Sequence, residues 1–257
     1  MNGRRPMAWG VPGIGLRIGG HRGASALAPE NTMASFRMAA AAGADYLELD
    51  VQLSLDGETM VFHDETLGRT TDGHGRMEGM SAREIERLDA GAWFDPRFAG
   101  ERIPRVSEVL SWLETLPETG ATFEAKGAGS GARLAQLISA SHFAPRLSIC
   151  SFEAIELRDA AAVAPGVGRI LIVDRDDPGT DLLAAARDAQ ATGVNVPWEW
   201  LDLESVARLH GSGLLVAGGT IELDALPRCL ALGIDLVDSN DPGPIVTALR
   251  GRAVEGT

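Results

Sequence analysis

The chain has 257 residues, 45% of them hydrophobic and 23% charged, which is enough apolar material for the sizeable core of an ordinary globular protein. A formal net charge of -13 argues against unspecific nucleic-acid binding and against docking on an anionic membrane surface, and it demands local positive charge wherever an anion is to bind. Two cysteines (Cys150 and Cys229, both in apolar surroundings) are too few for a disulfide framework, and no stretch approaches the ~20 apolar residues of a membrane span or forms a signal peptide, so a cytoplasmic protein without stable membrane insertion is expected.

In chain order, short apolar runs alternate with helical patterns. Strands are predicted at 17–20, 46–53, 59–63, 122–126, 147–151, 169–173, 194–197, 214–218 and 234–238. Helices are predicted at 31–42, 105–116, 130–142, 153–163, 180–191, 202–210, 222–232 and 242–250. The first of these helices starts on Asn31 as a favourable N-cap and stops before Gly43. Alternation of this kind predicts parallel βαβ units. Asp56-Gly57 predicts a two-residue hairpin, which makes 59–63 an antiparallel return from 46–53 and sets Asp50 opposite His63. Eight parallel strands remain, and the fold class predicted is α/β, a TIM (β/α)8 barrel in one domain over residues 1–257. Residues 64–104, with Trp93, Phe94 and Phe98, read as an inserted segment after the second barrel strand, folded over one side of the barrel mouth. Residues 1–14 and 251–257 are expected to be loosely ordered.

Titratable residues at the ends of apolar strands single out the chemistry. Glu48 and Asp50 are two apart on one strand and share a face, which is the inward one if Leu47, Leu49 and Val51 pack on helices. Glu124 lies on the next parallel strand. Three carboxylates on one inward face suit a hard divalent cation, Mg²⁺ or Ca²⁺; the alternative is a salt-bridged network with Arg22, Lys126 or Arg69. His21 and His63 stand at strand ends beside these acids, where an imidazole titrating near neutrality serves proton transfer in both directions. Arg22 at a turning strand end reaches toward a phosphate oxygen, and Lys126 shares the face of Glu124 and points into the site, for phosphate binding or simply to neutralise the carboxylates. His74, His142 and His210 read as surface residues, and Trp198 and Trp200 either wall an alcohol pocket or cover the barrel rim.

These residues sit in blocks that resemble a known family. HRGASALAPENTMASF, ELDVQLSLDGETMVFHDETLGRTTDGHG, FAGERIPRVSEVL, FEAKG and LGIDLVDSNDP, spanning about Ile18 to Pro242, are similar to the glycerophosphodiester phosphodiesterases. The resemblance implies a TIM barrel with a segment inserted after the His-Asp motif, one bound divalent cation, Glu48, Asp50 and Glu124 as its ligands, His21 and His63 as the acid/base pair, and phosphate contacts from Arg22 and Lys126. One stretch departs. Where the family often carries Trp-Thr-Val-Asn on the seventh barrel strand, this chain has Gly219-Thr220-Ile221-Glu222, which puts the alcohol pocket, rather than the hydrolysis, in question.

The function expected is metal-dependent hydrolysis of a small-molecule glycerophosphodiester to an alcohol and glycerol 3-phosphate. His63 is expected to act as the acid, kept protonated by Asp50 across the hairpin, and His21 as the base. Two other readings share these residues. A phospholipase D-like or lysophospholipid-cleaving barrel would need an apolar groove, supplied by Trp93, Phe94 and Phe98. A noncatalytic barrel binding phosphorylated ligands would leave two histidines without a purpose.

Overall fold

The structure, a computed structural model, describes residues 12, 13 and 15–255. The strands are β1 (Arg17–His21), β2 (Tyr46–Leu53), β3 (Thr59–Val61), β4 (Gly120–Ala125), β5 (Leu147–Ser151), β6 (Gly168–Ile172), β7 (Gly193–Asn195), β8 (Leu215–Thr220) and β9 (Leu236–Ser239). The helices are α1 (Met33–Ala41), the short α2 (Ala82–Ile85), α3 (Val106–Leu113), α4 (Ser130–Ser139), α5 (Ala154–Val163), α6 (Leu182–Asp188), α7 (Leu203–Gly211), α8 (Leu226–Leu232) and α9 (Pro242–Glu255). Every strand except β3 pairs in parallel with its neighbours, in the order β1-β9-β8-β7-β6-β5-β4-β2, and β1 closes the ring by pairing with β2. The eight-stranded barrel is as expected, and α9 runs to Glu255, into a stretch expected to be loose. The loose ends expected at residues 1–11, 14, 256 and 257 lie outside the described residues.

Alternation along β2 separates the two faces of the barrel wall. Leu47, Leu49 and Val51 are fully buried and pack with Phe36, Val109, Leu134 and Ile138 of the surrounding helices. Truncating Leu49 to alanine in this layer would cost about 2–5 kcal/mol. Tyr46, Glu48 and Asp50 take the inward face, where Tyr46 joins Cys150, Ile170, Ala217 and Leu236 in a thin apolar layer across the barrel axis. Gly19 permits this, because a Cβ there would collide with the Tyr46 ring. Among the described residues, no helix is long and apolar enough to cross a membrane.

The hairpin departs from expectation by one residue. Val51 pairs with Val61, Gln52 with Met60 and Leu53 with Thr59, and the Ser54 N–H donates to the Glu58 carbonyl oxygen at 2.9 Å. The loop therefore holds three residues, Leu55, Asp56 and Gly57, with Gly57 in the left-handed region at φ 78. A turn that ends on a left-handed glycine is the standard three-residue hairpin, and Asp-Gly also serves it. Because one residue of slip reverses every side chain, Asp50 lies opposite Phe62 rather than His63, and β3 stops at Val61. His63 is delivered by the chain just past the strand.

The inserted segment builds an apolar cluster of its own. Met60, Phe62, Leu67, Met77, Ala82, Ile85, Ala90 and Ile103 are buried together. The Asp56 side chain accepts from the Ala82 N–H at 2.8 Å, pinning α2 to the hairpin loop.

Candidate active site

Strands β2 and β4 run in register with Asp50 beside Glu124, so the three predicted acids meet at the carboxyl ends of the barrel strands. Glu48, Asp50 and Glu124 are all buried, and one oxygen from each lies within 4.8 Å of the other two. Lys126 Nζ is 2.6 Å from Glu124 Oε1 and 3.3 Å from Asp50 Oδ1. Arg22 approaches from the end of β1. Its peptide N–H donates to Glu48 Oε2 at 3.0 Å, its Nε lies 3.3 Å from Asp50 Oδ2, and its Nη1 donates to Glu30 Oε1 at 2.9 Å. This posture requires a left-handed backbone at Arg22, φ 53, held by the Asn31 N–H and the Ser35 hydroxyl, both of which donate to the Arg22 carbonyl oxygen. Arg22 and Lys126 thus lie against the acids as ion-pair partners, the arrangement weighed above as a salt-bridged network.

The electrostatics explain why this cluster fits a cation. Burial and the neighbouring Asp50 charge push Glu48 well above the carboxylate range, and the same two causes push Glu124 up to about 7. Burial also works against Asp50, yet Lys126 and Arg22 outweigh it and hold Asp50 below its ordinary value. The two cationic side chains therefore favour Asp50 as an anion, while Glu48 and Glu124 hold their protons more tightly. All three offer hard oxygen donors within 4.8 Å of one another, and a divalent cation there would favour the charged forms of Glu48 and Glu124.

Asn31 has a role different from the one its sequence position suggests. Helix α1 is capped by Thr32, whose side chain accepts from the Ser35 N–H. Asn31 is buried with φ 58, and its amide clasps Asp50 from both sides: Nδ2 donates to Asp50 Oδ2 at 2.7 Å, while Oδ1 accepts from the Asp50 N–H at 3.2 Å. An Asn next to a helix start signals capping first, so only the fold exposes its service to the acid.

Both candidate histidines are oriented through Nδ1, leaving Nε2 for chemistry. His21 Nδ1 meets Asn240 Oδ1 at 2.7 Å, and Asn240 also accepts from the Ser25 hydroxyl at 2.9 Å. His63 Nδ1 meets Asp64 Oδ1 at 2.6 Å. The carboxylate partner of His63 is thus its own neighbour in sequence, not Asp50, because the hairpin slip moves His63 off the strand. Arg69 and His63 hold the Asp64 carboxyl down to about 2, so Asp64 is an anion throughout the working range. Neither Asn240 nor Asp64 was singled out by strand pattern, although a His followed directly by Asp at a strand end was the available signal. His74 and His142 are exposed as expected. His210 is not a surface residue: it is half-buried and bonded to Asp235 at 2.8 Å.

Two cavities meet at Glu124. One, of about 410 Å³, occupies the barrel mouth on the His21 side, with Ile170, Ile172, Phe152 and Pro197 as an apolar wall and Asp238, Asn195 and Thr220 as polar elements. Gly219 lines it with φ 73, and Glu222 is exposed outside it. The second, of about 390 Å³, lies on the His63 side among Lys126, Glu65, Glu78, Arg76 and Glu153. Trp93, Phe94 and Phe98 line neither of these two cavities, and Phe94 meets Trp93 on one side and Phe98 on the other, both edge-on. Trp198 and Trp200 pack against the apolar cluster that contains Val194 and Leu201 and line neither of these two cavities.

Comparison with known proteins draws on the same residues. Residues 21–243 match the Glycerophosphoryl diester phosphodiesterase family. The chain belongs to this family. Membership carries the enzyme class with it, a phosphoric diester hydrolase. A putative glycerophosphodiester phosphodiesterase of Bacillus subtilis is 31% identical over 88% of this chain and 95% of its own. The glycerophosphodiester phosphodiesterase of Caldanaerobacter subterraneus is 42% identical over a shorter stretch, 56% of this chain and 61% of that protein. Among solved structures, a phosphodiesterase of Oleispira antarctica, in complex with the product sn-glycerol-3-phosphate, superposes with a TM-score of 0.79 at 28% identity, covering 91% of this chain and 96% of the other.

Proposed function

We propose that this protein, as one catalytic domain, hydrolyses glycerophosphodiesters to an alcohol and glycerol 3-phosphate with the help of one divalent cation, Mg²⁺ or Ca²⁺. The carrying observation is the trio of buried carboxylates within 4.8 Å of one another, bordered by two imidazoles that are each anchored through Nδ1. Glu48, Asp50 and Glu124 would hold the cation, and Asn31 fixes the Asp50 carboxylate for that purpose. When bound, the cation polarises a phosphoryl oxygen and offsets the charge that builds in the transition state. Arg22 and Lys126 orient the phosphate by charge-assisted hydrogen bonds.

Proton traffic follows from the two Nδ1 partners. Held at Nδ1 by Asn240, His21 presents Nε2 to the attacking water and takes its proton as the oxygen bonds to phosphorus. Asp64 holds His63 through Nδ1 and turns Nε2 toward the leaving group, so that His63 gives an Nε2 proton to the departing alkoxide as the ester P–O bond breaks. His63 remains the acid, with Asp64 in the place first expected of Asp50. The product complex of the Oleispira antarctica relative supports glycerol 3-phosphate as the retained product. Two buried free cysteines agree with a cytoplasmic setting.

The test is turnover of glycerophosphocholine by the purified protein, before and after chelation and on return of Mg²⁺ or Ca²⁺. Release of choline with glycerol 3-phosphate, abolished by chelator and restored by metal, is the expected result. Phosphocholine as product, or turnover indifferent to chelator, would overturn the assignment.

A further inference from the structure

Arg69 stands in a short 3-10 turn (Leu67–Arg69) of the inserted segment and lines neither of the two cavities that meet at the acids. Its guanidinium nevertheless grips two carboxylates at once. Nε donates to Asp64 Oδ2 at 2.6 Å and Nη2 to Asp64 Oδ1 at 2.9 Å; Nη1 donates to Glu30 Oε2 at 2.9 Å and Nη2 to Glu30 Oε1 at 2.8 Å. Each carboxylate passes the contact inward. Asp64 Oδ1 also meets His63 Nδ1 at 2.6 Å, and Glu30 Oε1 also accepts from Arg22 Nη1 at 2.9 Å. A continuous chain of charged contacts therefore runs from Arg22 through Glu30, Arg69 and Asp64 to His63, joining the loop after β1 to the loop after β3.

We propose that Arg69 is a positioning residue for the hydrolysis, setting the direction of the His63 imidazole through Asp64 while the Glu30 carboxylate anchors the guanidinium from its other side. The proposal rests on the reading of His63 as the acid. Its physical basis is the fork of five N–H donors in one plane, which fixes the rotation of both carboxylates; an ammonium supplies a point charge and cannot hold two forks in one geometry. Without Arg69, Asp64 sits half-exposed and free to turn, and His63 loses the direction of its Nε2.

The experiment compares Arg69→Ala and Arg69→Lys with His63→Ala on two substrates. One is glycerophosphocholine, whose alkoxide leaving group needs a proton. The other is the p-nitrophenyl diester of glycerol phosphate, whose leaving group departs as a stable anion. In Arg69→Ala, kcat on glycerophosphocholine should fall about 30- to 100-fold, a large part of what general-acid catalysis supplies, and on the aryl ester less than about 3-fold. Arg69→Lys should recover only a minor part. Equal losses on both substrates, no loss on either, or full recovery by lysine would each overturn the positioning role. If wild-type protein cleaves neither substrate, the parent reading of the site fails and this one with it. If wild type is active but His63→Ala shows no dependence on the leaving group, the acid is misassigned and Arg69 loses its function. A second measurement needs no turnover: the bonded Nδ1 proton of His63 should give a downfield NMR resonance that is lost in Arg69→Ala and kept in Glu30→Gln, and its persistence in Arg69→Ala would also overturn the proposal.

Discussion

His21 at the end of β1 and His63 just past the end of β3 both stand beside the acids, yet the two halves of the mouth are built differently. The His21 half belongs to the barrel itself: β1 and the end of β9 supply the imidazole and Asn240, and the adjoining cavity has an apolar wall. The His63 half belongs to the hairpin and the inserted segment, which supply the imidazole, Asp64 and Arg69, and its cavity is rimmed by ionic side chains. A neutral amide holds Nδ1 of one ring and a carboxylate holds Nδ1 of the other, so the two imidazoles stand in different electrostatic surroundings although each presents Nε2.

The largest effects come from breaking the halves outright. His21→Ala and His63→Ala should each lower kcat about 10²- to 10⁴-fold with the fold unchanged; near-wild-type turnover of either would end the comparison. Asn31→Ala should weaken the acid cluster, not the histidines, and calorimetric titration with Mg²⁺ should show affinity reduced about 10- to 100-fold. Unchanged affinity would mean that Asp50 needs no clasp.

A pH experiment separates the acids from both imidazoles. The folded-state value of Glu124, about 7, is above its ordinary 4.5, so its contribution to stability is fully present below pH 4.5 and is lost as pH rises through 7. For the metal-free protein this is a loss on the order of 3 kcal/mol across that window, visible as a falling Tm. Asp50 is shifted the other way, so its contribution disappears only as the pH falls through its lowered value, below that window. Glu124→Gln should flatten the slope between pH 5 and 8, and added Mg²⁺ should raise the Tm more at pH 8 than at pH 5. A slope identical to wild type in Glu124→Gln would contradict the account. The smallest effect concerns the hairpin. Gly57→Ala, at φ 78 with no neighbour within 4 Å, should cost about 1 kcal/mol in denaturant unfolding and leave kcat untouched.

The two halves also differ in how far the sequence reveals them. Strand alternation was sufficient to find all eight barrel strands and the shared face of Glu48 and Asp50, because a buried wall with a polar interior leaves a two-residue period. Asp56-Gly57 announced a hairpin but not its length, since the dipeptide fits loops of two and three residues, and the His63–Asp50 contact was lost with that one residue. Asn31, Asn240 and Glu30 stayed hidden for another reason. Their partners lie 19, 219 and 39 residues away, for Asp50, His21 and Arg69 respectively, and local pattern carries no trace of such contacts.

The inserted segment's separate apolar cluster, around Met77 and Ile85, carries one more consequence. Because Asp64 and Arg69 hang on this small unit while the acids hang on the barrel, heating should melt the segment locally before the whole molecule denatures. Inactivation would then precede the loss of far-ultraviolet circular dichroism, and the enzyme would grow silent while most of its architecture still stood.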